Sequence, residues 1–125
     1  MSTILLEHFY HINTIKTEKG TISAQVTFHV NHPIFKGHFP DMPIVPGVCQ
    51  TQMLGEIFGE ALCKTMRLRN AASIKFLSPV DPNKNPTLDL TISYTIMEDH
   101  SYSVSAQYVA HEIVFFKFKG VYIVA

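Results

Sequence analysis

Gly37-His38-Phe39-Pro40-Asp41-Met42-Pro43-Ile44-Val45-Pro46-Gly47-Val48 places a histidine in a loop stiffened by three prolines. The loop runs directly into residues 47–66, GVCQTQMLGEIFGEALCKTM, the one long helix candidate in the chain. Proline fixes its own φ and restricts the residue before it, so such a loop holds a side chain in place at small entropic cost. Pro46 suits the start of a helix, where a missing N–H has no partner to lose. The helix that follows turns free amide N–H groups back toward the loop. A histidine base facing a helix N-terminus can enolise a carbonyl compound: the base removes a proton and the amides stabilise the oxyanion.

Within the helix candidate, Val48, Met53, Leu54, Ile57, Phe58, Ala61, Leu62 and Met66 cover more than one stripe. A helix of that kind is buried on most sides. Gly55 and Gly59 each cost about 1 kcal/mol against alanine in a helix interior, which implies close approach of a neighbouring strand.

Around this helix the pattern is that of strands. Residues 9–17 read as a strand, and Glu18-Lys19-Gly20 as a tight turn. In residues 21–30, Ile22, Ala24, Val26, Phe28 and Val30 face one way, and Thr21, Ser23, Gln25, Thr27 and His29 the other. Residues 31–46 are read as a long packed loop. Strands are expected at 72–80, 87–96, 101–109 and 112–124, with a turn at Pro82-Asn83-Lys84-Asn85-Pro86. A hairpin, a loop, a buried helix and an antiparallel meander make an α+β domain, a curved antiparallel sheet wrapped around one long central helix.

The 125 residues read as one domain, 1–125, long enough to bury a sizeable core. Ten Lys plus Arg balance ten Asp plus Glu, so nothing in the charge favours nucleic acid or an anionic membrane. No apolar run approaches the roughly 18 residues of a membrane span, and the N-terminus does not read as a signal peptide. Cys49 and Cys63, placed in one helix, would lie about 21 Å apart, too far for a disulfide. Two free thiols point to a reducing cytoplasm.

The histidine loop resembles the active-site signature of the beta-hydroxyacyl-acyl carrier protein dehydratases of fatty-acid synthesis, G-H-F-P-G-x-P-x-x-P-G-V/C-L-x-x-E/D. Ile74–Leu90, IKFLSPVDPNKNPTLDL, is similar to a second stretch of that family, I-K-x-x-x-F-x-x-P-V-x-P-G-D-x-L. Two positions depart from the signature: Asp41 replaces a glycine, and Gln52 stands where the family has its catalytic carboxylate. The resemblance implies the hotdog fold, a homodimer or higher oligomer, an acyl carrier protein bearing the acyl chain as partner, and no cofactor. It further implies a cis peptide at His38–Phe39. The implied reaction is dehydration of a 3-hydroxyacyl thioester to a trans-2-enoyl thioester, in fatty-acid or related lipid or polyene synthesis. His38 would take the proton alpha to the carbonyl. The amide N–H of Gly47 or Val48 would hold the thioester oxygen, with Phe39 and Pro46 beside the substrate.

Glutamine at 52 keeps the hydrogen-bonding shape of a carboxylate and loses its proton. Glu56, one helical turn on, sits where many members of that family carry glutamine, so the pair is exchanged at i, i+4 on one helix face. Three outcomes stay open. Glu56 takes the carboxylate role; or His38 returns its proton to the hydroxyl unaided while Gln52 holds the substrate; or the chain is a non-catalytic acyl-thioester-binding or partner subunit. A hotdog thioesterase is a further alternative, disfavoured by the G-H-F-P loop.

The bland readings are a loop-holding hydrogen bond for His38 and an end-of-helix hydrogen bond for Glu56. Cys49 reads as a small packed residue. His29, His38 and Asp41 lack tight metal-ligand spacing, so no metal is expected. Lys64, Arg67 and Arg69 read either as cations complementing the helix C-terminus or as a dock for an acidic carrier protein.

Overall fold

A computed structural model describes residues 5–37 and 43–125. His38, Phe39 and Asp41, and with them the expected cis bond, lie outside the described residues. The elements are β1 (Tyr10–Glu18), β2 (Thr21–Phe28), α1 (Pro33–Gly37), α2 (Gly47–Leu62), β3 (Met66–Phe76), β4 (Thr87–Ile96), β5 (Tyr102–Ala110) and β6 (Ile113–Val124). Among the described residues the strands form a six-stranded sheet in the order β1-β2-β4-β5-β6-β3, with every neighbouring pair antiparallel.

Register explains how the core is built. Ala24 pairs with Leu90, Leu90 with Tyr108, and Tyr108 with Phe116. Ile22, Ile92, Ala106 and Phe118 make the next row but one. Period-two alternation sends both rows to the same face of the sheet, and all eight side chains are buried. Helix α2 lies on that face through Cys49, Gln50, Met53, Leu54, Ile57 and Phe58. The Phe58 ring centroid sits 5.5 Å from those of Tyr94, Tyr102 and Tyr122. Bulges in β3 between Leu68 and Asn70 and between Ala71 and Ser73 bend the strand as it passes β6.

Three boundaries differ from the sequence expectation. Helix α2 stops at Leu62 rather than running to Met66. Cys63 adopts the left-handed conformation with φ 55°. The Lys64 N–H bonds to the Gly59 carbonyl at 3.0 Å and the Cys63 N–H to the Glu60 carbonyl at 3.4 Å. This is a Schellman closure, which reverses the chain and sends Met66 straight into β3. The third strand therefore starts at Met66 and ends at Phe76, instead of covering 72–80. The expected loop of residues 31–46 also contains the short helix α1.

The closure gives the second helix glycine its reason. A Cβ on Gly59 would lie 2.5 Å from the Lys64 carbonyl oxygen, whereas one on Gly55 would meet the Tyr122 ring at 3.4 Å. Gly59→Ala is expected to destabilise the fold by about 2 kcal/mol or more, despite alanine's better helix propensity. Cys63→Gly should stabilise it by about 1 kcal/mol, because glycine occupies the left-handed region without penalty. Urea denaturation of both variants measures each change.

Candidate functional site

Helix α2 opens without a side-chain cap, behind Pro46. The Cys49 and Gln50 amides bond back to the Pro46 carbonyl at 3.0 and 3.1 Å. The amides of Gly47 and Val48, two residues earlier, find no acceptor among the described residues. These are the two donors, Gly47 or Val48, at which the resemblance expects the thioester oxygen, and they follow directly on Pro46. The Phe76 ring lies against Gly47 so closely that a Cβ there would come within 2.7 Å of it.

The helix start is fixed from three directions. The Val45 N–H bonds to the Val80 carbonyl at 2.8 Å. Gln50 Nε2 donates to the Val45 carbonyl at 3.1 Å, and the Tyr108 hydroxyl donates to the Gln50 carbonyl at 2.8 Å. Gln50 is buried, and its Oε1 has no partner among the described residues. Sequence reasoning missed Gln50 and Tyr108. Glutamine on an otherwise apolar helix face, four residues after the last loop proline, was the available signal.

Gln52 and Glu56 come together as the i, i+4 spacing requires. Gln52 Nε2 donates to Glu56 Oε2 at 2.9 Å. Glu56 also gathers groups far away in sequence. Its Oε2 accepts the Leu5 N–H at 2.8 Å, and its Oε1 accepts the Leu6 N–H at 2.9 Å and the Tyr10 hydroxyl at 3.0 Å. Burial pushes the Tyr10 phenol far above its usual range, and the Glu56 charge pushes it further, so Tyr10 stays a donor. Neither Tyr10 nor the Leu5–Leu6 backbone stood out in the sequence, since their role depends on a contact some fifty residues away.

Val48, Thr51, Gln52, Gly55 and Glu56 line an open groove of about 900 Å³ along α2, with Lys64, Arg67 and Leu68 also in its lining. The basic cluster thus runs from the closure of α2 at Lys64 into β3. Arg67 and Arg69 belong to β3, Lys64 Nζ donates to the Tyr102 hydroxyl at 3.2 Å, and Arg69 pairs with Asp99 at 3.0 Å. The earlier end of α2 placed these residues beyond the helix.

Cys49 packs into the core, and burial, with a further contribution from the Glu56 charge, raises its thiol above the usual range. That is the environment of an inert packed thiol. Among the described residues no cluster of His, Cys, Asp or Glu has the geometry of a metal site, and no helix is long and apolar enough to cross a membrane.

Comparison with known proteins follows the same lines. A family model described as ApeI-like, ApeI dehydratase, matches residues 14–114. The 3-hydroxyacyl-[acyl-carrier-protein] dehydratase FabZ of Wolbachia sp. subsp. Drosophila simulans (strain wRi) is 33% identical over 102 residues, 71% of this chain and 68% of that protein. FabZ of Pasteurella multocida (strain Pm70) is 32% identical over 99 residues, 69% of this chain and 65% of that protein. FabZ of Protochlamydia amoebophila (strain UWE25) is 38% identical over 74 residues, 54% of this chain and 48% of that protein. The chain thus spans about half to two-thirds of the length of the curated relatives it matches.

Two solved structures share the architecture. One is described as the dehydratase heterocomplex ApeI:P from Xenorhabdus doucetiae, with TM-score 0.69 and 20% identity over 88% of this chain and 95% of that chain. The other is the E. coli PaaI protein from the phenylacetic acid degradation operon, with TM-score 0.64 and 15% identity over 93% of this chain and 79% of that chain. At these identities the likeness carries the fold, and the fold is the hotdog, as the histidine loop implied. With a family model covering most of its length and these dehydratases as relatives, the chain belongs to the ApeI-like dehydratase family.

Proposed function

We propose that this protein dehydrates 3-hydroxyacyl thioesters carried on acyl carrier protein, giving trans-2-enoyl thioesters for fatty-acid or related lipid or polyene synthesis. The observation that carries this reading is the uncapped start of α2, where the Gly47 and Val48 amides have no acceptor among the described residues. In the proposed reaction neutral His38 takes the proton from C2. The electrons of that bond form an enolate whose oxygen rests on the two amides. The enolate then expels the hydroxyl from C3 as the double bond forms, and the histidine's proton goes to the departing oxygen, giving water. An unperturbed imidazole titrates near pH 6.5, so its neutral form is present at pH 7. Phe39 and Pro46 would flank the acyl chain.

We further propose a homodimer. Strand β3 is an edge of the sheet, and it is long and largely exposed, an arrangement that soluble proteins commonly cover. Exposed Val48, Phe76 and Leu77 lie near the start of α2 and the end of β3. A two-fold partner there would cover the groove and bring His38 of one protomer toward the α2 helix of the other. Lys64 and Arg67, in the groove's lining, would meet an acidic carrier protein. The free Cys49 and Cys63 favour the cytoplasm as the working compartment.

A second reading has an observation of its own. The resemblance implies a carboxylate where this chain carries Gln52, and a structural neighbour is described as a dehydratase heterocomplex. In that reading the chain is the acyl-binding partner of a second hotdog subunit that supplies the acid.

Incubation with 3-hydroxyacyl and trans-2-enoyl carrier-protein thioesters, followed at the enoyl absorbance, decides between the two. The dehydratase reading expects turnover by the chain itself and a loss of at least about a hundredfold in His38→Ala. Binding without turnover favours the partner subunit. Sedimentation should find a dimer at micromolar concentration, with an interface on the order of 2,000 Å² or more; a monomer counts against the shared site.

A further inference from the structure

Phe116 and Phe118 are buried beneath helix α2, and Lys117 and Lys119, which alternate with them along β6, stand on the opposite face of the sheet. Register puts Lys75 of β3 directly opposite Lys117, and Ser73 opposite Lys119. On the other flank of β6, Gln107 faces Lys117 and Ser105 faces Lys119. Thr91 and Ser93 continue the same two rows on β4. These side chains line an open depression of about 540 Å³, and no carboxylate belongs to its lining. The ion pairs among the described residues are Lys16–Glu18 and Arg69–Asp99, so none of the three lysines has a carboxylate partner there. Like charges directly opposite on neighbouring strands destabilise a sheet. Lys75 and Lys117 thus carry a cost that an acid at either position would turn into a gain.

We propose that this face of the sheet is a docking site for an acidic helix of another protein. Neighbouring strands lie about 4.8 Å apart, and residues i and i+2 of one strand about 6.7 Å apart. The three lysine stems therefore leave the sheet as a triangle of roughly 5 by 7 Å. Carboxylates at i, i+3 and i+4 of a helix, with Cβ atoms about 5–6 Å apart, match that triangle. The Ser73 and Ser105 hydroxyls, on either side of Lys119, add donors to the same carboxylates. Other occupants fit less well. A second copy docked face to face would set lysines against lysines. A bilayer would find nothing to anchor it, since the apolar lining residues Ala106 and Phe118 are buried. A small anion would sit among exposed or half-buried groups, where salt screens a lone ion. A helix delivers several carboxylates in one encounter. The depression lies across the sheet from α2 and its groove, so this docking site is independent of the dehydratase reading.

The test is a titration of the isotope-labelled full chain, followed through its amide chemical shifts. The probe is a capped, alanine-based helical peptide of about 20 residues with glutamates at i, i+3 and i+4 of successive turns. Its shifts should centre on Ser73, Lys75, Ser105, Lys117 and Lys119. A peptide of the same composition with its glutamates spread around the helix should bind several-fold more weakly. Lys117→Glu should weaken binding about tenfold, from lost attraction and new repulsion. Its urea midpoint should not fall, because the new carboxylate faces Lys75. Lys119→Gln, which removes one charge and adds none, should weaken binding about threefold. Shifts confined to the α2 groove, equal binding of the two peptides, or a Lys117→Glu variant that binds as tightly as wild type would overturn the proposal. So would the same shifts produced by inorganic pyrophosphate at a lower concentration than the peptide, which would make this a small-anion site. Phosphatidylglycerol vesicles that capture wild type and not Lys117→Glu would make it a membrane contact instead. A wild-type oligomer that dissociates in Lys117→Glu, seen by sedimentation, would assign the face to a second copy.

Discussion

The seating of helix α2 on the inner face of the sheet is the contact on which every other feature depends. Each of β2, β4, β5 and β6 contributes inward side chains in register, and the helix fills the space they enclose. Apolar burial at about 25 cal/mol per Å² makes this the main source of stability. It also fixes the helix in rotation. Once Met53, Leu54, Ile57 and Phe58 face the sheet, Gln52 and Glu56 must lie along the side that faces the groove. The outward placement of Gln52 and Glu56 is thus set by packing residues on the opposite side of the helix.

Position along the helix axis is set separately, by hydrogen bonds at its two ends. At the start, Val45 is tied to Val80, and Gln50 to Val45 and Tyr108. At the finish, the Schellman closure at Cys63 leads at once into β3. A shift of the helix along its axis would break one set or the other. Rigid ends of this kind hold the Gly47 and Val48 amides in a constant place, which is what preorganised stabilisation of charge requires.

The strands with strict alternation, β2, β4 and β5, and the start of α2 after Pro46 were legible from sequence because a single local pattern decides each. The end of α2 was not. A cysteine at a left-handed helix terminus carries no warning, since glycine or asparagine is the usual occupant. Met66–Phe76 mixes apolar and charged residues without a clean period, because bulges break its register and one side of the strand is an open edge. In the site, the loop motif identified the helix terminus, and the i, i+4 spacing identified the Gln52–Glu56 pair. What Glu56 binds could not be read locally. Its partners are backbone amides and a phenol about fifty residues earlier in the chain, and a backbone amide has no letter in the sequence.

The Glu56 anchor also bears on which substitutions positions 52 and 56 tolerate. A carboxylate at 52 beside the one at 56 would force two like charges to share a proton, and a glutamine at 56 would leave donors of the N-terminal segment facing another donor. Neither single change keeps all four donors around Glu56 satisfied as they are. Position 56 and the backbone path of Leu5 and Leu6 must change together. The N-terminal segment therefore couples the two positions: a change at 52 or 56 alters how the donors of Leu5, Leu6 and Tyr10 are met.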